Sequence, residues 1–236
     1  MCGRITQTRS RLEYIAELGE PYDPKAWVGG DVHRQYNMAP GYSILTMHRL
    51  EGDGETHSAR LPWGYRSPGA KAKGYPKHPN ARIESAPTDR PWVTARILVP
   101  VDGWFEWTRE DDKKLPWYFT LADGRPLFMA AVTNFRPYEN GGDPELGVAI
   151  VTTAAGGPMG QIHNRRPVVL APEEARRWLD ADLQSPEAVE LARRRLRPPD
   201  VFKWHRVSPK VNRVVPMMEL SYAEQEALIR PLGSGT

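Results

Sequence analysis

The sequence predicts an α+β domain, a mixed and mostly β core with helices around it. Three observations carry this. Twenty-three prolines and twenty glycines cut the 236 residues into short pieces. Most of those pieces are β-rich runs of strand length bounded by Gly, Pro, Asn or Asp. Helical spacing is confined to four segments, and neither a repeat nor a dividing linker is visible.

The helical segments come first and last. In "TRSRLEYIAELGE", Leu12, Ile15, Ala16 and Leu18 form an approximate apolar face, and Gly19 supplies a stop. The runs "SILTMHRL", "WYFTLADG", "PLFMAAVTNF" and "LGVAIVTTAA" read as strands. In "APEEARRWLDADL", Pro172 suits a first turn, and Ala175, Trp178 and Leu179 share a face. "SPEAVELARRRLR" predicts a helix with Ser185 as N-cap and Pro186 at the first helical position, and "SYAEQEALI" a short last one. The expectation is one domain over 1–232 and a flexible tail over 233–236.

Bulk properties narrow the function classes. Hydrophobic residues are 40% and charged residues 26%, ordinary for a globular protein. No apolar run approaches the roughly 20 residues of a membrane span, and the polar start carries no secretory signal, so a cytoplasmic protein is expected. One cysteine excludes an internal disulfide and suits a reducing compartment. Six scattered histidines and one thiol give no metal-ligand spacing, and no phosphate-cradling glycine motif is present, so neither metal nor cofactor is expected. The net charge of +3 leans towards a polyanionic partner. Lys71, Lys73, Lys77 and His78 fall in one Gly/Pro-punctuated stretch that could line a nucleic-acid groove. Arg193, Arg194, Arg195 and Arg197 read as a solvated helix end.

The chemistry-bearing residues sit at the punctuation between these elements, where scaffolds usually carry function. Cys2 directly follows Met1. Removal of the methionine would leave an α-amine of pKa near 8 and a thiol near 8.5 on one residue. That pair suits an aldehyde: the amine condenses to an imine, and the thiolate closes on the imine carbon as a thiazolidine. A cysteine inside the chain has only an amide nitrogen and cannot do this. A lone cysteine is also commonly a small buried hydrophobe. Glu106 stands among aromatic neighbours in "GWFEW", surroundings that destabilise its charged form and raise its pKa towards a useful acid–base range. A surface glutamate on an amphipathic strand reads the same way. His163 in "QIHNRRP" is a candidate acid–base group or a structural histidine. Asn80, Arg82 and Glu84 alternate in "NARIES", so on an extended segment they would face one side and hold a nucleotide, or equally satisfy a turn.

In order along residues 2–216, "MCGR", "YNMAP", "WGY", "NARIES", "VPVDGWFEW", "TTAA", "IHNRRPVVL" and "VSPKVN" resemble the SOS response-associated peptidase (SRAP) family. The resemblance implies a mostly antiparallel, barrel-like β core and a monomer. It also implies recognition of abasic sites in single-stranded DNA, especially at junctions with duplex, through a thiazolidine link to the ring-opened sugar. On that basis Cys2 is the nucleophile and Asn80 orients sugar and amine. Glu106 shuttles protons, including those of Met1 removal, and His163 assists sugar opening and reversal. Arg4, Arg82 and Arg165 are expected to hold phosphates, and Pro40 and Trp63 to offer apolar surface to the DNA. Asn37, Ser208 and Asn212 complete the expected DNA-binding set. Two departures stand out: Arg166 replaces the methionine usual in His-x-Arg-Met-Pro, and "RIL" precedes "VPVDGW" where many members have Arg-Cys. A peptidase acting on other proteins and a non-covalent single-strand-binding module are the competing readings.

Overall fold

The structure is a computed structural model that describes residues 2–20, 34–85, 95–135, 144–214 and 219–233. In chain order its strands and helices are β1 (Ile5–Gln7), α1 (Arg11–Leu18), β2 (Gln35–Met38), β3 (Ser43–His48), β4 (His57–Pro62), α2 (Pro68–Ala72), β5 (Asn80–Arg82), β6 (Arg96–Val101) and β7 (Gly103–Glu110). There follow β8 (Lys113–Leu121), β9 (Leu127–Thr133), β10 (Val148–Ala154), β11 (Arg165–Pro167), β12 (Val169–Leu170), α3 (Pro172–Leu179), α4 (Ser185–Arg194), β13 (Phe202–Arg206) and α5 (Tyr222–Ala227).

The strands form two sheets. One has five strands in the order β13-β8-β7-β1-β2. The other has β11-β10-β9-β6-β3-β4 as its path, with β12 pairing β9 and β5 pairing β10. All pairings are antiparallel except β5 with β10, which run parallel. The α+β, mostly antiparallel expectation therefore holds. The barrel-like shape does not: the core is two facing sheets, and no barrel closes among the described residues.

Alternation along β9 shows how the layers are built. Leu127, Met129 and Ala131 face the five-stranded sheet and meet Trp104, Phe119, Phe202 and Cys2 in one buried cluster. Phe128, Ala130 and Val132 face the other way, against Tyr14, Ile15 and Leu18 of α1 and Ala175, Trp178 and Leu179 of α3. Both faces of β6 and β9 are thus buried, which is why they read as unbroken apolar runs. The outer face of the five-stranded sheet is covered in part by Val207 and Val211, which pack on Phe105 and Tyr118.

Local chemistry fixes the element ends. Ser10 caps α1, its hydroxyl accepting the Glu13 N–H while the Glu13 carboxylate accepts the Ser10 N–H at 2.7 Å. Gly19 ends the helix in the left-handed region, as its position predicts. α4 starts one residue earlier than its Ser-Pro pair suggests: Gln184 is the cap, its N–H donating to Glu187, and Ser185 lies inside the helix. Gly147 (φ +64) is required twice over. Its backbone is left-handed, and a Cβ there would stand 2.2 Å from the Gly64 carbonyl oxygen. That close approach brings the chain after β4 against the start of β10, where Gly64 N–H donates to Val148 O.

Among the described residues no helix is long and apolar enough to cross a membrane. The expected C-terminal tail lies outside the described residues apart from Gly233, and Met1 also lies outside them.

Candidate active site

Cys2 enters the site from the end of β1. The strand pairs Ile5 with Met38 on one side and with Trp104 on the other, so the chain just before it is threaded between β2 and β7. The Phe105 N–H donates to the Arg4 carbonyl at 3.0 Å and extends that register towards the chain start. Cys2 is fully buried between the sheets, in the same core cluster as Trp104, Met159 and Ile150. Burial, with the Glu106 carboxyl nearby, pushes its thiol pKa well up.

Glu106 is brought there by the period of β7. Trp104 and Glu106 share the face that looks between the sheets, while Phe105 and Trp107 share the opposite one. Gly103 allows this strand to lie close on β8, since a Cβ there would stand 2.4 Å from the Tyr118 ring. Glu106 is 3% exposed, and burial pushes its carboxyl up to about 7. The reading of "GWFEW" as an environment that raises a carboxyl is met by this position; the surface alternative is not.

Asn80 and His163 arrive from the other sheet. β5 lies parallel to β10 with Asn80 opposite Ile150, and the Asn80 Nδ2 donates to the Cys2 carbonyl oxygen at 2.9 Å. Its Oδ1 is buried with no hydrogen-bond partner among the described residues, an acceptor left facing the site. His163 follows the 3-10 turn Gly157–Gln161. Its Nδ1 accepts the Arg165 N–H at 3.0 Å and lies 3.9 Å from Glu106 Oε2. Burial lowers the His163 pKa, so the imidazole is neutral at pH 7. Four residues spread from position 2 to position 163 therefore meet at one point between the sheets.

The other expected residues fall into two groups around it. Arg4 is 8% exposed, and its Nη1 donates to Asn37 Oδ1 at 2.6 Å and to the Val211 carbonyl at 2.7 Å. Asn37 Nδ2 in turn donates to the Arg213 carbonyl at 3.1 Å. Ser208 caps the 3-10 turn Pro209–Asn212, and Asn212 accepts from Trp107 Nε1 at 2.6 Å and donates to the Lys114 carbonyl at 3.0 Å. These residues brace the Cys2 strand against the C-terminal segment. Gly3, Arg4, Trp107, Lys114 and Asn212 line a shallow pocket beside it. Trp107, with the Arg4 guanidinium 5.6 Å from its ring centre, and Lys114 are surface-reaching groups that the sequence reading did not single out. Their link to Asn212 spans about a hundred residues, and only the fold could reveal it.

On the opposite side, Arg82 is exposed and Arg165 is half-buried. The alternating row expected over "NARIES" ends at Arg82, because Ile83–Ser85 turn into a 3-10 helix. Glu84 is carried on that turn to Arg165 instead. Pro40 is exposed as expected of a surface contact. Trp63 is not: it is 1% exposed, and its Nε1 donates to the Pro79 carbonyl at 2.9 Å. It has no free face for a base, and it supports the segment leading into Asn80. Arg166, on the far face of β11 from Arg165, is buried with its guanidinium 5.7 Å from the centre of the Phe202 ring. Among the described residues no group of three or more His, Cys, Asp or Glu could hold a metal ion.

Residues 1–214 match the family described as SOS response associated peptidase (SRAP). The chain is 42% identical over 224 residues to the abasic site processing protein YedK of Escherichia coli, covering 91% of this chain and 95% of that one. It is 32% identical to the abasic site processing protein YoqW of Bacillus subtilis, over 80% of this chain and 85% of the relative. It is 26% identical to the abasic site processing protein HMCES of Xenopus tropicalis, over 90% of this chain and 75% of that protein. A phage-related protein of Bordetella bronchiseptica, solved by crystallography, has a similar fold, with a TM-score of 0.72, 37% identity and coverage of 87% of this chain and 94% of that one. With the family match over residues 1–214 and relatives 42% and 32% identical over most of their length, this chain belongs to the SRAP family.

Proposed function

We propose that the protein recognises abasic sites in single-stranded DNA, including junctions with duplex, and shields them by a covalent link through Cys2. The observation that carries this reading is the meeting of four groups. Cys2 is held by its own carbonyl to Asn80, Glu106 is poised near neutrality, and a neutral His163 lies beside Glu106. The names of the relatives, abasic site processing proteins, point the same way.

Hydrolysis of the Met1–Cys2 bond first frees the α-amine, a self-directed peptidase step that fits the family's name. Neutral His163 takes the proton of the sugar 1′-hydroxyl as the bond from C1′ to the ring oxygen breaks, and the ring oxygen takes that proton back as the deoxyribose opens to its hydroxy-aldehyde. The amine attacks the aldehyde carbon, and the resulting carbinolamine loses water to give an imine. Glu106 donates the proton that leaves with that water, then takes the thiol proton as sulfur closes on the imine carbon. A carboxyl titrating near 7 can do both. The buried Asn80 Oδ1 accepts a hydrogen bond from the amine and sets its approach. The high thiol pKa suits this order: sulfur stays protonated until the imine has formed, and the transfer to Glu106 is local.

An oligonucleotide with one uracil tests the reading. Incubated with the protein, with and without uracil glycosylase, it should give a band on a denaturing gel only after glycosylase treatment. Intact mass should show the protein without Met1, and the adduct should weigh the sum of its two parts less one water. A glycosylase-independent shift on native gels alone would instead indicate a non-covalent binding module, and cleavage of unrelated proteins a peptidase acting in trans.

A further inference from the structure

Arg165 presents its guanidinium edge-on to Glu84. Its Nη1 donates to Oε1 at 2.7 Å and its Nη2 to Oε2 at 2.9 Å, a parallel two-pronged pairing. This is also the geometry in which arginine grips a phosphate. Arg165 does not need Glu84 to keep its orientation. Its Nη2 also donates to the Thr152 carbonyl at 2.7 Å and lies 3.1 Å from the Thr152 hydroxyl, both on β10 behind it. The side chain of Glu84 is 47% exposed against 14% for Arg165, so the carboxylate sits on the solvent side of the pair. The Ala154 N–H steadies it there at 3.2 Å.

We infer that Glu84 is an internal phosphate mimic, occupying the anion seat of Arg165 in the DNA-free protein and surrendering it when a backbone phosphate arrives. This rests on the reading that Arg165 contacts DNA. The consequence is thermodynamic. A phosphate that binds an unpaired arginine releases a condensed cation, about 0.7 per contact for a single strand. A phosphate that displaces Glu84 leaves a bare carboxylate to recruit a cation, so the net release from that contact is close to zero. Glu84 thereby lowers affinity for any passing single strand, and the covalent step, which needs the abasic aldehyde, carries the selectivity.

The test compares wild type, E84Q and E84Q/R165Q on an undamaged single strand, with affinity measured by fluorescence anisotropy across a salt series. E84Q keeps the shape and one acceptor of the native residue and sits on the surface, so its melting temperature serves as the folding control. We expect E84Q to bind about 3- to 10-fold tighter, with the slope of log K against log salt steeper by about 0.7. E84Q/R165Q should lose both gains. An E84Q that binds as wild type or more weakly, or with an unchanged slope, overturns the inference and makes Glu84 a brace that positions Arg165. If wild type forms its glycosylase-dependent adduct in that case, the functional reading survives while this one fails. If wild type neither binds single strands nor forms the adduct, both readings fail together.

Discussion

The five-stranded sheet supplies Cys2 and Glu106, both sealed from solvent, whereas the strands around β10 supply Asn80, Arg82, His163 and Arg165, which stay partly open. On the sealed side, burial is the chemical agent: it raises a thiol and a carboxyl. On the open side, geometry is the agent: side chains bound to main-chain partners are held where a sugar or phosphate can reach them. The difference teaches that burial and open geometry act from different sheets, which meet where Asn80 donates to the Cys2 carbonyl and where His163 lies 3.9 Å from Glu106.

Substitutions on the two sides should therefore fail differently. Cys2→Ala should abolish the denaturing-gel adduct entirely while anisotropy shows binding within about 2-fold of wild type, since little exposed surface changes. Cys2→Ser should be nearly as inactive, a hydroxyl being the poorer nucleophile. Glu106→Gln should slow single-turnover coupling by about 100-fold, a usual size for loss of a general acid–base. Coupling at the normal rate would remove Glu106 from the proton transfers.

Glu106 also sharpens the contrast through stability. Its folded pKa of about 7 lies above its ordinary value of 4.5. Its stabilising contribution is thus full below about 4.5 and is lost as pH rises through about 7. The difference is worth roughly 3 kcal/mol. Urea unfolding of wild type should weaken across that window, and Glu106→Gln should flatten the decline. A profile identical in both proteins would refute the buried, protonated carboxyl. On the open side, effects should be smaller. Arg82→Ala should weaken single-strand binding by about 3-fold and reduce the salt slope by about 0.7 without changing the coupling rate of bound DNA. His163→Ala should slow adduct formation by about 10-fold, with affinity unmoved. A loss of affinity there would make the histidine a binding group.

Much of this was legible in the sequence, for identifiable reasons. β3, β9 and β10 announced themselves because β-branched and apolar residues run between Gly, Pro and Asn. The α1 stop was legible because Gly19 alone satisfies a left-handed cap. Cys2 and Glu106 stood out because position, in one case, and neighbours, in the other, dictate their chemistry locally. Trp63 misled because an aromatic looks the same whether its face is free or packed under Pro79. The extended and turn readings of "NARIES" could not be separated for a similar reason: its alternation fits either until tertiary pairing of Glu84 with Arg165, 81 residues away, favours the turn. The barrel expectation failed because sheet closure depends on strand order, which no local pattern encodes.

Cys2 lies only three positions ahead of Ile5, whose neighbours on both sides fix it in register. At about 3.3 Å per residue such a lead is a tether of at most about 10 Å, with no slack to pursue a distant target. On the proposed reading, a damaged strand therefore bends inward to reach Cys2. A base-paired, stacked backbone resists that contortion. Discrimination can thus begin with the stiffness of the visitor, before any bond is made.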